Sequence, residues 1–120
     1  MNRQFSSVLD QDVITSLREL GGTDDPDLFT ELVTLFLEDT PQRLDELGEA
    51  MSAQDAAGLE RSAHSLKSSS ANLGAMELSA IFREIERAGR DHDLDRAAAL
   101  VQQSSEAYQR AEAALKQEIG

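Results

Sequence analysis

Ala63-His64-Ser65-Leu66-Lys67-Ser68-Ser69-Ser70-Ala71-Asn72-Leu73-Gly74 is the stretch from which the rest of the chain can be placed. Together with the turn before it, this segment carries Leu59, Ala63, Leu66, Ser70 and Leu73 at spacings of 3 and 4. That is the signature of a helix with one buried stripe. Ser70 is the weak member of the stripe, small enough to let a neighbouring helix come close. His64 follows Ala63 by one residue, about 100° round the helix, and so turns away from the stripe. Lys67, Ser68 and Ala71 share its outward face, and Arg61 lies one turn earlier. The segment thus offers one imidazole on an open face, with a cation in reach and small side chains beside it.

That combination suits the carriage of a phosphoryl group. A neutral imidazole nitrogen is a competent nucleophile near pH 7, because the unperturbed pKa is about 6.5. An ammonium at i+3 can neutralise phosphate oxygens as charge builds on them. Ser68 and Ala71 keep bulk away, so a second protein can bring an acceptor group in line. By spacing alone, an isolated helical histidine is more often an ordinary surface residue.

The composition narrows the class. At 120 residues the chain is expected to be a single domain, with residues 1–8 polar, patternless and loose. Hydrophobic residues reach 40% but aromatics only 4%, without tryptophan, so the core is aliphatic. Two prolines, seven glycines and no alternating β-branched run favour helices and predict no sheet. The net charge of −12 argues against nucleic acid or an anionic membrane as partner. Charge is unevenly spread. From Asp24 to Glu60 eleven acids face one base, a net of −10, whereas from Arg61 to Arg90 five bases face three acids, a net of +2. The one basic strip contains His64. The chain has no cysteine, which excludes a disulfide framework and thiol chemistry. No apolar run has signal-peptide or membrane-span length, so a cytoplasmic protein is expected.

In chain order, Asp10 caps a short helix to about Leu20, with Leu9, Val13, Leu17 and Leu20 facing inward and Gly21-Gly22 ending it. Asp25 and Pro26 open a long helix, about 26–52, whose apolar face includes Leu28, Phe29, Leu32, Val33, Phe36 and Leu37. Pro41 either kinks or breaks it. The apolar spacing resumes at Leu44, Leu47 and Met51, which favours one kinked helix. Asp55 caps the His64 helix, about 56–73. Gly74 reverses the chain into a helix of about 76–89, with Leu78, Ile81, Phe82, Ile85 and Ala88 inside. Asn72 is expected to face that next helix or to order the turn. A last helix from about Asp93 to Glu118 carries Leu94, Ala97, Ala98, Val101, Ser104, Ser105, Tyr108, Ala111 and Leu115 as its inner stripe.

The tight reversal at Gly74 gives a register. His64 lies ten residues before it and Glu86 twelve after it, nearly level at about 1.5 Å per residue. Glu86 can then orient the imidazole by accepting from one ring nitrogen, or be an ordinary surface glutamate. Arg83 and Arg87 are read as solvated charges. His92, between two aspartates, lacks convergent ligands at helical spacing and is read as a surface residue, so no metal site is expected. The sum is an all-α fold, an antiparallel four-helix bundle with a short additional N-terminal helix.

The segment from Ala63 to Lys67, followed after six residues by Gly74, resembles the signature of histidine-containing phosphotransfer domains of bacterial phosphorelays. The family pattern is His-x-Leu-Lys-Gly on a helix closed by a later glycine; here Ser68 stands in place of the first glycine. The likeness extends over roughly Asp10 to Leu115 in motif order and helix spacing, and includes the Phe-Leu-Glu-Asp-Thr-Pro run before Gln42. It implies a phosphorelay intermediate. His64 would accept a phosphoryl group from a receiver-domain phospho-aspartate and pass it to another receiver aspartate. Lys67 would stabilise phosphate charge, Glu86 would orient the ring, and Arg61, Ser68 and Ala71 would meet the partner. The implied partners are response-regulator receiver domains and a hybrid sensor histidine kinase. Magnesium would sit on the receiver, no cofactor would be intrinsic, and the chain would be a monomer without kinase activity of its own. The other classes compatible with the residues are a non-catalytic helical adaptor and a helical hydrolase or metalloprotein. Two unclustered histidines and no cysteine speak against the last.

Overall fold

The computed structural model of this chain describes residues 8–120. The expectation of a loose segment over residues 1–8 lies outside this range except at Val8, which packs half-buried against the core. Among the described residues there are five helices and no strand. They are α1 (Gln11–Gly21), α2 (Leu28–Ser52), α3 (Ala56–Asn72), α4 (Met76–Arg90) and α5 (Leu94–Ile119).

The capping chemistry sets these bounds. Asp10, Asp55 and Asp93 each accept from a backbone N–H of the first turn that follows, at Asp12, Gly58 and Arg96. The expected opening of α2 at Pro26 is corrected. The Asp25 N–H donates back to the Gly21 carbonyl and Leu28 N–H to the Asp25 carbonyl. This short turn absorbs Asp25 and Pro26, so the helix starts at Leu28, with Asp27 at its cap. α2 then runs through Pro41 unbroken. The α2–α3, α3–α4 and α4–α5 connections close alike, each with one residue at positive φ: Gln54, Gly74 and His92. The next N–H in each case bonds five residues back, as in Asp55 to Ala50, Ala75 to Ser70 and Asp93 to Ala88. His92 therefore has a turn role, in a backbone region where histidine is enriched among non-glycine residues.

α2 packs on α3 and α5, and α4 packs on the same two, with the α3–α4 interface the most extensive. The core between them is mainly aliphatic, with Phe82 set among Val33, Leu47, Leu59, Leu66, Ile85 and Leu115, all fully buried. α1 lies against α2. Its start is tied to the α3–α4 turn by Asp10 N–H donating to the Gly74 carbonyl at 2.8 Å. Its other end is tied to α5 by the Arg18–Glu118 pair at 2.8 Å. Leu9 is in the core and Val13 and Leu17 are half-buried, but Leu20 is exposed, against expectation, and Ile14 takes the buried position on α1. Ala98 and Ser105 are likewise exposed; their neighbours Ala97 and Ser104 take the inner positions.

α3 and α4 come close enough to share backbone contacts. A Cβ on Gly89 would lie 2.9 Å from the Ala56 carbonyl oxygen and 3.0 Å from the Glu60 nitrogen. Only glycine permits that approach. Nearer the turn, the Ser79 hydroxyl donates to the Lys67 carbonyl at 2.9 Å. These two contacts clamp α4 to α3 on either side of the level at which His64 and Glu86 meet.

Candidate functional site

The α3 stripe is as buried as its spacing predicts: Leu59, Ala63, Leu66 and Ser70 are at 0% exposure and Leu73 at 7%. The opposite face therefore looks outward. The His64 side chain is 63% exposed. Arg61 and Ser68 are exposed beside it, and Ala71 is half-buried.

Glu86 is a buried side chain, only 9% exposed, and not a solvated surface charge. Its two oxygens divide their work. Oε2 is 2.9 Å from Nδ1 of His64, and Oε1 accepts from Nζ of Lys67 at 2.7 Å. Burial pushes the Glu86 carboxyl up, but the hydrogen bonds from Lys67 and then His64, with their charges, outweigh this and hold it below the ordinary carboxylate range. The group is ionised at neutral pH and can only accept, so Nδ1 carries the proton. In the neutral ring the lone pair is then on Nε2, the nitrogen that Glu86 does not touch.

Lys67 is 26% exposed and engaged with Glu86, so its ammonium is positioned at the base of the site as well as beside it. Asn72 does not face α4; it is exposed and borders an open apolar groove of about 310 Å³. Leu17, Leu32, Leu35, Phe36, Ser69 and Leu73 also line that groove, and Leu35 is 62% exposed. Arg87 pairs with Glu84 of its own helix. Arg83 is exposed. His92 lies on the far α4–α5 turn, and no cluster of three or more potential metal ligands occurs among the described residues.

Two charged residues of this region were not singled out by sequence reasoning. Arg90 ends α4; its Nε donates to Glu60 Oε2 at 3.2 Å and its Nη2 lies 3.5 Å from Glu86 Oε2. Register could have found them. Glu60 is fourteen residues before Gly74 and Arg90 sixteen after, the same offset as His64 and Glu86, one turn further along.

What the arrangement can do is limited and specific. It presents one nucleophilic nitrogen to solvent, fixes the ring through the other nitrogen, and offers cations beside a ring that is 63% exposed. The remaining groups of any reaction must come from a second molecule. Among the described residues no helix is long and apolar enough to cross a membrane.

The Hpt domain family model matches residues 31–118. The crystal structure of histidine-containing phosphotransfer protein B (HptB) from Pseudomonas aeruginosa PAO1 is similar at 35% identity with a TM-score of 0.86, over 92% of this chain and 93% of that one. No curated protein matches the chain.

Proposed function

The chain belongs to the Hpt domain family, the phosphorelay intermediates of two-component signalling, and on that premise we propose that His64 is its phosphoryl carrier. The observation that supports this most is the pairing of an exposed ring with a buried carboxylate: Glu86 occupies Nδ1 and leaves Nε2 free.

The step balances without any group that the two proteins lack. The Nε2 lone pair attacks phosphorus of a receiver aspartyl phosphate. The bond from phosphorus to the aspartyl oxygen breaks, and the carboxylate leaves with its electron pair. The N–P bond makes the ring positive while Nδ1 keeps its proton, and the Glu86 carboxylate stands beside that charge. Transfer to a second receiver is the reverse step, with the ring as leaving group. Lys67, drawn to Glu86 in the resting protein, is one turn from His64 and supplies positive charge to the phosphoryl oxygens. Catalysis of this kind is mostly positioning, so the partner is expected to hold magnesium and the acceptor aspartate.

We read the ring of α2, α3, α4 and α5 as an antiparallel four-helix bundle, with α1 as the short additional helix. The whole chain acts as one domain and works as a cytoplasmic monomer. Receiver domains and a hybrid sensor kinase dock over Arg61, Ser68 and Ala71, with apolar contact from the groove bordered by Leu35. The chain binds no ATP and has no kinase activity of its own. Phosphotransfer from a phosphorylated receiver to wild type and to His64→Gln tests the reading. Label on the wild type alone, acid-labile and base-stable, is the expected result. Label on His64→Gln would move the carrier elsewhere, and no label from a broad panel of receivers would favour a non-catalytic adaptor.

A further inference from the structure

α1 buries little of its own surface: Ile14 is its one buried side chain, with Val13 and Leu17 half-buried. Polar ties hold it to the rest of the body. Its start is fixed to the α3–α4 turn by the bond from Asp10 N–H to the Gly74 carbonyl. Further along, Arg18 donates from Nη2 to Glu118 twice, to the side-chain Oε1 at 2.8 Å and to the backbone carbonyl at 3.0 Å. Gln11 reaches the other Glu118 oxygen at 3.4 Å. The Arg18 guanidinium carbon also lies over the Phe29 ring, 4.4 Å from its centre. Three helices thus meet at one group: Arg18 on α1, Phe29 near the start of α2, and Glu118 in the last turn of α5. A guanidinium suits that place. Its edge hydrogen-bonds while its face stacks on an aromatic ring. The last carbonyls of α5 lack intrahelical partners and carry negative partial charge, which a cation complements.

What this clamp holds is a wall of the apolar groove. Leu17, the residue before Arg18, lines that groove together with Leu35 and Phe36 of α2. On α3 the groove takes in Ser69 and Asn72, which directly follow Ser68 and Ala71 of the face that bears His64. Groove and face are therefore continuous. We propose that Arg18 is a positioning residue for receiver docking: by clamping α1 to α2 and α5, it sets the Leu17 wall of the groove where a receiver meets it. This rests on the reading that receivers dock over the groove and the His64 face together. None of the partners of Arg18 belongs to the His64–Glu86–Lys67 site, so the clamp acts on recognition and not on the transfer step. A protein whose α1 is displaced part of the time binds a receiver only in proportion to the fraction with the wall in place.

The test compares wild type, Arg18→Ala, Arg18→Lys and Leu35→Asp by three readouts. One is KM and kcat for transfer from a phosphorylated receiver domain that labels the wild type. The second is the rate of labelling by phosphoramidate, a small donor that transfers its phosphoryl group to His64 with release of ammonia and needs no docking surface. The third is amide hydrogen exchange, resolved helix by helix. The Arg18 side chain is 47% exposed. At such exposure a cation–π contact and an ion pair are each worth roughly a factor of two to five in an equilibrium. Arg18→Ala is therefore expected to raise KM roughly three- to tenfold at unchanged kcat and unchanged phosphoramidate labelling, with faster exchange confined to α1. Arg18→Lys returns the charge without the fork or the stacking face, so its KM lies between the other two. A wild-type KM in Arg18→Ala overturns the proposal. So does a raised KM with unchanged exchange in α1, which would mean that Arg18 itself touches the receiver. Phosphoramidate labelling that slows as much as transfer from the receiver does the same, as the mark of a merely structural role. Leu35→Asp puts a charge into the groove without touching the clamp. An unchanged KM there overturns the docking reading, whereas a raised KM there beside a wild-type KM in Arg18→Ala overturns the role of Arg18 alone. No label on the wild type from any receiver overturns both.

Discussion

Glu86→Gln separates the two jobs of one carboxylate. The amide has nearly the same shape, and its oxygen can still accept from Nδ1 of His64. Its second position is an amino group, which faces the Lys67 ammonium as donor to donor, so the 2.7 Å contact is lost. A hydrogen bond to a charged group contributes about 1.5–3 kcal/mol. Part of that returns, because Lys67 is 26% exposed and can rehydrate, and because an amide is cheaper to bury than a carboxylate. The net cost is about 1–2 kcal/mol, a fall in Tm of roughly 4–8 °C for a domain of this size. The pH dependence has a definite sign. A carboxyl held below its ordinary value of 4.5 stabilises the fold above that pH and stops doing so as pH falls through the lower folded value. Thermal melts of wild type and variant should therefore differ fully at pH 6–7 and converge below pH 4.5. A variant melting within about 1 °C of wild type at pH 7 would refute the reasoning. A gap that does not narrow on acidification would do the same.

Other substitutions probe the frame. Gly89→Ala gains about 1 kcal/mol of helix propensity but drives a Cβ to 2.9 Å from the Ala56 carbonyl oxygen, so a net loss of about 1–2 kcal/mol is expected in denaturant titrations, with a weaker His64–Glu86 contact by NMR. Unchanged stability would mean that α3 and α4 separate freely. Leu66→Asp puts a charge at a position with 0% exposure and should abolish the cooperative melt seen by circular dichroism. Tyr108 has a buried hydroxyl with no partner among the described residues, and burial with the nearby Glu112 charge pushes its ionisation up to about 12. Tyr108→Phe should accordingly be neutral or stabilising by up to about 1 kcal/mol, and a clear loss of stability would reveal a bond to that hydroxyl.

The helices were legible because each has a continuous apolar stripe and because Asp10, Asp55, Gly74 and Asp93 punctuate the chain with side-chain caps or a left-handed turn. The misreadings occur where spacing is degenerate. Ala97 and Ala98, or Ser104 and Ser105, are adjacent pairs of equal size, and only the neighbouring helix decides which one it covers. Leu20 continues a valid helical stripe but is exposed, and Ile14 is the residue of α1 that is buried. Asp25-Pro26 is a sound helix opening by propensity, yet the bond from Asp25 N–H to the Gly21 carbonyl commits it to a turn first. For the alanine and serine pairs a tertiary contact decides, whereas at Asp25 one local bond, reaching four residues back, outweighs another local preference.

The site was legible to the extent that it depends on register. Counting outward from Gly74 brings Glu86 level with His64 and, one turn further, Arg90 level with Glu60. What counting does not supply is depth. A glutamate on the polar side of an amphipathic helix reads as solvated, and Glu86 is buried because the Cβ-less Gly89 lets α4 press onto α3 one turn away. Depth changes the chemistry. At the surface, a carboxylate would meet Lys67 and His64 as loose, screened pairs worth little. Drawn between the two helices, the same group is short of water, must take its hydrogen bonds from protein donors, and so fixes both the ring and the ammonium. The close approach at Gly89 and the 2.9 Å contact of Glu86 Oε2 with Nδ1 of His64 thus belong to one α3–α4 interface.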